Sequence, residues 1–186
     1  MKRNLIGALV LMGAVLQAAP AWATVWYVNG DIQTPGTGMT PATAFKEIQD
    51  IQPPTLQAGH EIWIAGGTAL PYQATVTAYS GVKILGGFSP SGDSAFTIRN
   101  PGLYPTVIDA SSSNVGLEVV SDALPSTLIE GLTIQNAGVF GIVNGSFSRA
   151  VFRHLILKDN GGNSSASGAF DNGIDYAFAR IESWYI

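Results

Sequence analysis

The chain is 186 residues long, carries nine basic and 13 acidic residues for a net charge of −4, and contains no cysteine. That balance argues against nucleic acid and anionic lipid as partners, and the lack of thiols excludes disulfides and lipoprotein attachment. Only 12% of the residues are charged while 22 are glycine, a composition that suits an extracellular all-β protein better than a helical one.

The first element in chain order is a leader. Lys2 and Arg3 form a positive n-region, Leu5 to Leu16 an apolar h-region, and Ala21-Trp22-Ala23 an A-x-A cleavage site. Gln17 and Pro20 cut the apolar run short of the roughly 20 residues that a bilayer span needs. Residues 1–23 are therefore predicted to be a cleavable signal peptide, and the mature protein to be exported: periplasmic, secreted or on the cell surface. No later run is long and apolar enough to span a membrane. The mature chain keeps seven basic against 13 acidic residues.

Residues 24–58 read as an N-terminal segment with one helix, Pro41 to Ile51. Thr40 is the N-cap and Pro41 the first helical position. Ala44, Phe45, Ile48 and Ile51 share a face, and Pro53-Pro54 stops the run. Such a helix is expected to cap the open front of the repeats on its C-terminal side.

Residues 59–186 repeat. Aliphatic strands recur at Glu61 to Ile64, Val82 to Leu85, Thr106 to Ile108, Ile129 to Ile134, Phe152 to Leu157 and Phe178 to Ile181. Aligning Ile64, Ile84, Ile108, Leu132, Leu155 and Ile181 gives steps of 20, 24, 24, 23 and 26 residues. A step in the low twenties is one turn of a parallel β-helix, in which each turn buries its apolar face only against its neighbours. Ile129, Leu132 and Ile134 face one interior only if the chain turns at Glu130-Gly131; Phe152, Leu155 and Leu157 repeat that layout, with His154 at the corner. Glu130 should then stack on Arg153. Asn136-Ala137-Gly138 and Asp159-Asn160-Gly161 end the two strands alike. A second inward strand per turn is expected at Gly116 to Val119, Gly141 to Val143 and Gly173 to Asp175. The last segment, Ala177 to Ile186, predicts a bare final turn. It belongs either to a truncated β-helix or to one that pairs with another β-helix chain through this end.

Several segments carry a family resemblance: Trp26-Tyr27-Val28-Asn29, Gly36-Thr37-Gly38, Pro41 to Asp50, Gly59 to Thr68, Gly81 to Phe88 and Pro105 to Asp109. Together they resemble the N-terminal part of secreted bacterial right-handed β-helix proteins of the pectin-lyase-like superfamily, a group that includes relatives of the polymorphic outer-membrane proteins. The resemblance implies an all-β, right-handed parallel β-helix with an N-terminal capping helix. It leaves activity open, because the family includes polysaccharide lyases and hydrolases as well as adhesins.

No residue set is assigned to catalysis, and no metal or cofactor is expected. Family lyases cluster Ca²⁺-binding carboxylates, whereas Asp109, Glu118, Glu130 and Asp159 are scattered singly. Hydrolysis needs two facing carboxylates, and Asp109 approaches Glu130 only if both point outward. Arg153-His154 with Lys158-Asp159 is the densest polar cluster; His154 reads as a general base or, preferably, as a corner on an outward face. Trp63 and Tyr79 are the candidate sugar-stacking aromatics, with Trp63 alternatively covered by Trp26 and Tyr27. The loop from Asp159 to Asn172 enlarges one turn. Asn144-Gly145-Ser146 and Asn163-Ser164-Ser165 match the glycosylation sequon. The expected function is a non-catalytic exported β-helix that recognises extracellular polysaccharide, or serves as a surface scaffold or adhesin segment. Trp63, Tyr79, Arg153 and Asp159 are its candidate ligand contacts. The alternative is a polysaccharide lyase or glycoside hydrolase, or the N-terminal fragment of one.

Overall fold

The computed structural model describes residues 23–51, 56–91, 95–161, 168–171, 180–181 and 184–185. The predicted leader, apart from Ala23, and the second sequon lie outside them. The protein is all-β, and every strand pairing is parallel. The strands run β1 (Val25–Val28), β2 (Glu61–Ala65), β3 (Tyr72–Gln73), β4 (Val76–Ala78), β5 (Lys83–Phe88), β6 (Thr106–Asp109) and β7 (Val115–Val119). They continue as β8 (Leu128–Glu130), β9 (Leu132–Gln135), β10 (Phe140–Asn144), β11 (Val151–Arg153), β12 (Leu155–Lys158), β13 (Gly168–Asp171), β14 (Arg180–Ile181) and β15 (Trp184–Tyr185). Three sheets result, ordered β1-β2-β5-β8-β11-β14, β3-β6-β9-β12-β15 and β4-β7-β10-β13. From β2 onward the chain visits these sheets in a fixed rotation, an arrangement compatible with a β-helix-like fold.

Alternation along each strand sends one face inward. Ile62, Ile84, Ile129 and Phe152 stand opposite one another in the first sheet and are buried. Ile108, Ile134 and Leu157 do the same in the second, and Leu117 and Ile142 in the third. Between β8 and β9 the chain turns at Gly131 (φ 74°), and one turn later His154 occupies the same corner at φ 47°. A left-handed backbone costs a glycine almost nothing, whereas an L side chain is strained by it. Ile129, Leu132 and Ile134 are consequently all inward, as are Phe152, Leu155 and Leu157. Arg153 is the direct register partner of Glu130, as the sequence predicts. Asn136 and Asp159 are both left-handed where their strands end (φ 61° and 53°), and Asn160 ties the corners together by accepting from Ala137 N and donating to Ile134 O.

Two sequence expectations are corrected. The N-terminal α-helix is replaced by two 3-10 turns, Pro41–Thr43 and Ile48–Asp50. Thr40 caps the first of them, but Ala44 is extended, because Phe45 N donates to Tyr27 O and Phe45 O accepts from Asn29 N. Pairing Phe45 beside β1 overrides local helix propensity. Ala44, Ile48 and Ile51 still reach the core, and Phe45 packs against it. Next, the repeat alignment shifts. Ile84 stands opposite Ile62 rather than Ile64, and Ile108 opposite Ile134 rather than Leu132. Strands of different sheets share the same apolar alternation, so the step from Ile84 to Ile108 crosses from one sheet to another. The true step in the first sheet runs 45 residues, from Ile84 to Ile129. The third sheet is extended by Gly168–Asp171, with Phe170 opposite Ile142. Residues 173–175 lie outside the described residues, as does most of the final segment.

Glu61 and Lys83 are register partners on the outer face, with Lys83 Nζ 2.8 Å from Glu61 Oε1. Burial raises the Glu61 carboxyl, but hydrogen bonds from Lys83 and Trp63 outweigh it, and the net shift is below the ordinary 4.5. A carboxyl lowered in the folded state stabilises above its unfolded value, and that contribution is lost as pH falls through the folded value. Urea titrations of wild type and Glu61→Gln between about pH 7 and pH 3 should therefore converge at the acid end. A constant gap would show that Glu61 acts through shape and not charge.

Candidate functional site

The long turn between β5 and β8 carries an insertion between β5 and β6, whose described residues 89–91 and 95–105 fold back over the outer face of the first sheet. Phe88 and Arg99 form an antiparallel bridge, Ser89 N donates to Ile98 O, and Asn100 N donates to Gly87 O. Phe96, left-handed at φ 57° and buried, seats a second apolar cluster with Ala65 and Phe88. Trp63 belongs to this cluster: its ring stacks on Phe88 at 4.5 Å and meets Tyr27 edge-on at 5.8 Å, and its indole N–H donates to Glu61. Its outward direction agrees with the alternation of β2, and one face of the ring is occupied by Phe88.

The same insertion delivers Arg99. Its Nε donates to Gly86 O at 2.9 Å and its guanidinium lies 5.7 Å over the Phe88 ring. Nη1 then reaches Glu130 Oε1 at 2.8 Å. From the other side His154 Nδ1 stands 3.5 Å from the same oxygen. Glu130 is thus held between a cation from the insertion and an imidazole at the corner of the next turn. Its side chain is only 14% exposed, against 60% for His154. Arg99, Pro101, Gly102, Glu130, His154 and Ile156 enclose a cleft of about 420 Å³. Ile156 points outward from β12, 45% exposed, and forms an apolar wall beside the charges.

The four sequence candidates do not converge. Trp63 sits in the outer aromatic cluster. Tyr79 packs on the main core and lines a separate cavity of about 200 Å³ with Ile48, Ile51 and Ile62. Arg153 neighbours the cleft through its pairing with Glu130. Asp159 is exposed past the end of β12, 3.8 Å from Lys158. Asp109 and Glu130 occupy different sheets; Asp109 accepts from Gln135, Asn136 and the Ser111 backbone, so no facing carboxylate pair forms between them. Among the described residues no group of three His, Asp or Glu side chains is placed to hold a metal ion, and no helix is long and apolar enough to cross a membrane. Asn144 of the first sequon is fully buried, which closes it to glycosylation in the folded protein.

Sequence reasoning missed Arg99, Pro101 and Ile156. One signal was present: Arg99 is the only basic residue between Lys83 and Arg149. No family model matches this chain, and no curated protein or solved structure matches it.

Proposed function

We propose that this protein is an exported, right-handed parallel β-helix of the pectin-lyase-like kind that binds carbohydrate in the Arg99–Glu130–His154 cleft without cleaving it. The observation that carries this reading is the cleft itself. Polar side chains from the insertion, from β8 and from the corner before β12 meet beside an exposed apolar residue, Ile156. Sugars present an apolar C–H face and a rim of hydroxyls, and such a mixed wall serves both. The leader-like N-terminus and the acidic, cysteine-free composition suit an extracellular polysaccharide as partner. Cleavage finds less support, since hydrolysis needs a second carboxylate across the substrate from Glu130.

The test is a glycan array probed with the mature protein and with Ile156→Asp, which changes an exposed position and spares the core. Wild type should retain polysaccharide and the variant should not. In parallel, an assay for unsaturated uronate products with Ca²⁺ and with a chelator should show no product. Chelator-sensitive product would replace binding with lyase activity, and an array without any retained glycan would remove the carbohydrate reading.

A further inference from the structure

Resting on the carbohydrate reading above, we infer that the cleft selects neutral sugars: Glu130 accepts hydrogen bonds from a pair of neighbouring hydroxyls, and an anionic sugar is disfavoured. Charge is the first reason. Arg99 lies 2.8 Å from Glu130, so the pair at the centre of the cleft is neutral as a unit. Arg99 is held from behind by Gly86 O and the Phe88 ring, which fixes the direction from which its charge is presented. The other cations nearby, Arg153 and Lys158, do not line the cleft. A uronate or sulfate entering this space would give up its hydration beside a guanidinium already engaged by Glu130, a desolvation cost with little charge pairing to offset it.

Neighbouring hydroxyls meet the opposite situation. An ionised carboxylate is an acceptor with two oxygens, and two adjacent O–H groups match it as two donors. Hydrogen bonds to a charged acceptor are the stronger kind. Each hydroxyl keeps lone pairs that the exposed His154 can address, so one sugar edge engages Glu130 and His154 together. Pro101 and Ile156 then face the C–H surface of the ring. Glu130 is the specificity-determining residue, and Arg99 positions it.

The experiment is calorimetric titration of the mature protein with mannotriose, cellotriose, xylotriose and trigalacturonate. At least one neutral trisaccharide should bind, and trigalacturonate should bind at least roughly tenfold more weakly. Glu130→Gln keeps the shape but removes the charge. It should weaken neutral-sugar binding about tenfold and narrow the gap to trigalacturonate. His154→Asn, at an exposed corner whose left-handed backbone asparagine tolerates, should give a smaller loss in the same direction. Near-ultraviolet circular dichroism checks that both variants keep the aromatic cluster. Preference for trigalacturonate, or neutral-sugar binding indifferent to Glu130→Gln, overturns the inference while leaving carbohydrate binding in place. If none of the four sugars binds, and the array is blank as well, both readings fall.

Discussion

Phe152→Ala should destabilise the mature protein by about 3–5 kcal/mol, measured by urea unfolding. Phe152 is among the largest fully buried side chains and lies opposite Ile129 in one direction and Ile181 in the other. Truncating it removes the transfer free energy of an aromatic ring and leaves a cavity, and the paired strands on both sides hold that cavity open. Ile156→Ala, close by in the chain but outward-facing, should change stability by less than about 0.5 kcal/mol. A Phe152→Ala loss below about 1.5 kcal/mol would mean that the interior is not packed at that level.

Gly66→Ala should also be strongly destabilising, and for a different reason. A Cβ at Gly66 would lie 1.9 Å from Tyr104 O and 2.6 Å from Tyr104 C, both of them backbone atoms. Gly66 is pinned on the other side by donating to Phe88 O, and Gly67 donates to Pro105 O. Relief therefore requires either the end of β2 or the return of the insertion to move. Ordinary overpacking costs about 1–3 kcal/mol, and a clash with fixed backbone should reach or pass the upper end, about 3 kcal/mol. Because the displaced segment also carries Arg99, sugar affinity should fall along with stability. Urea unfolding and a binding titration on the same sample test both parts. A variant within about 0.5 kcal/mol of wild type would show that the insertion yields freely.

Much of the interior was legible because burial and strand geometry repeat every two residues. Ile129, Leu132 and Ile134 cannot share a face without a corner at Gly131, and that logic located His154 and the Glu130–Arg153 pairing as well. What stayed hidden depends on contacts distant in sequence. Pro41 to Ile51 has a good cap and an apolar spacing suited to a helix, yet the backbone of Phe45 is claimed by Tyr27 and Asn29. The insertion has no periodicity to read, so the 45-residue step was divided into two apparent turns. With that step misread, nothing could place Arg99 beside Glu130, or Phe88 and Phe96 around Trp63. Trp63 was correctly assigned to the outer face, and Tyr27, one of the residues expected to cover it, does meet its ring, but the stacking partner is Phe88 of β5.

The 45-residue step also bears on how the three sheets assemble. Successive partners in the first sheet are otherwise 36 and 22 residues apart before it and 23 and 29 after it. Doubling the closing loop adds about 0.6 kcal/mol of entropic cost. A chain that grows strand by strand crosses the insertion where β6 docks on β3, before β8 reaches β5. The strands up to β5 and those from β6 onward thus lie on either side of one seam. Arg99 crosses that seam to reach Glu130, so the ion pair at the centre of the cleft forms only once the two halves have joined.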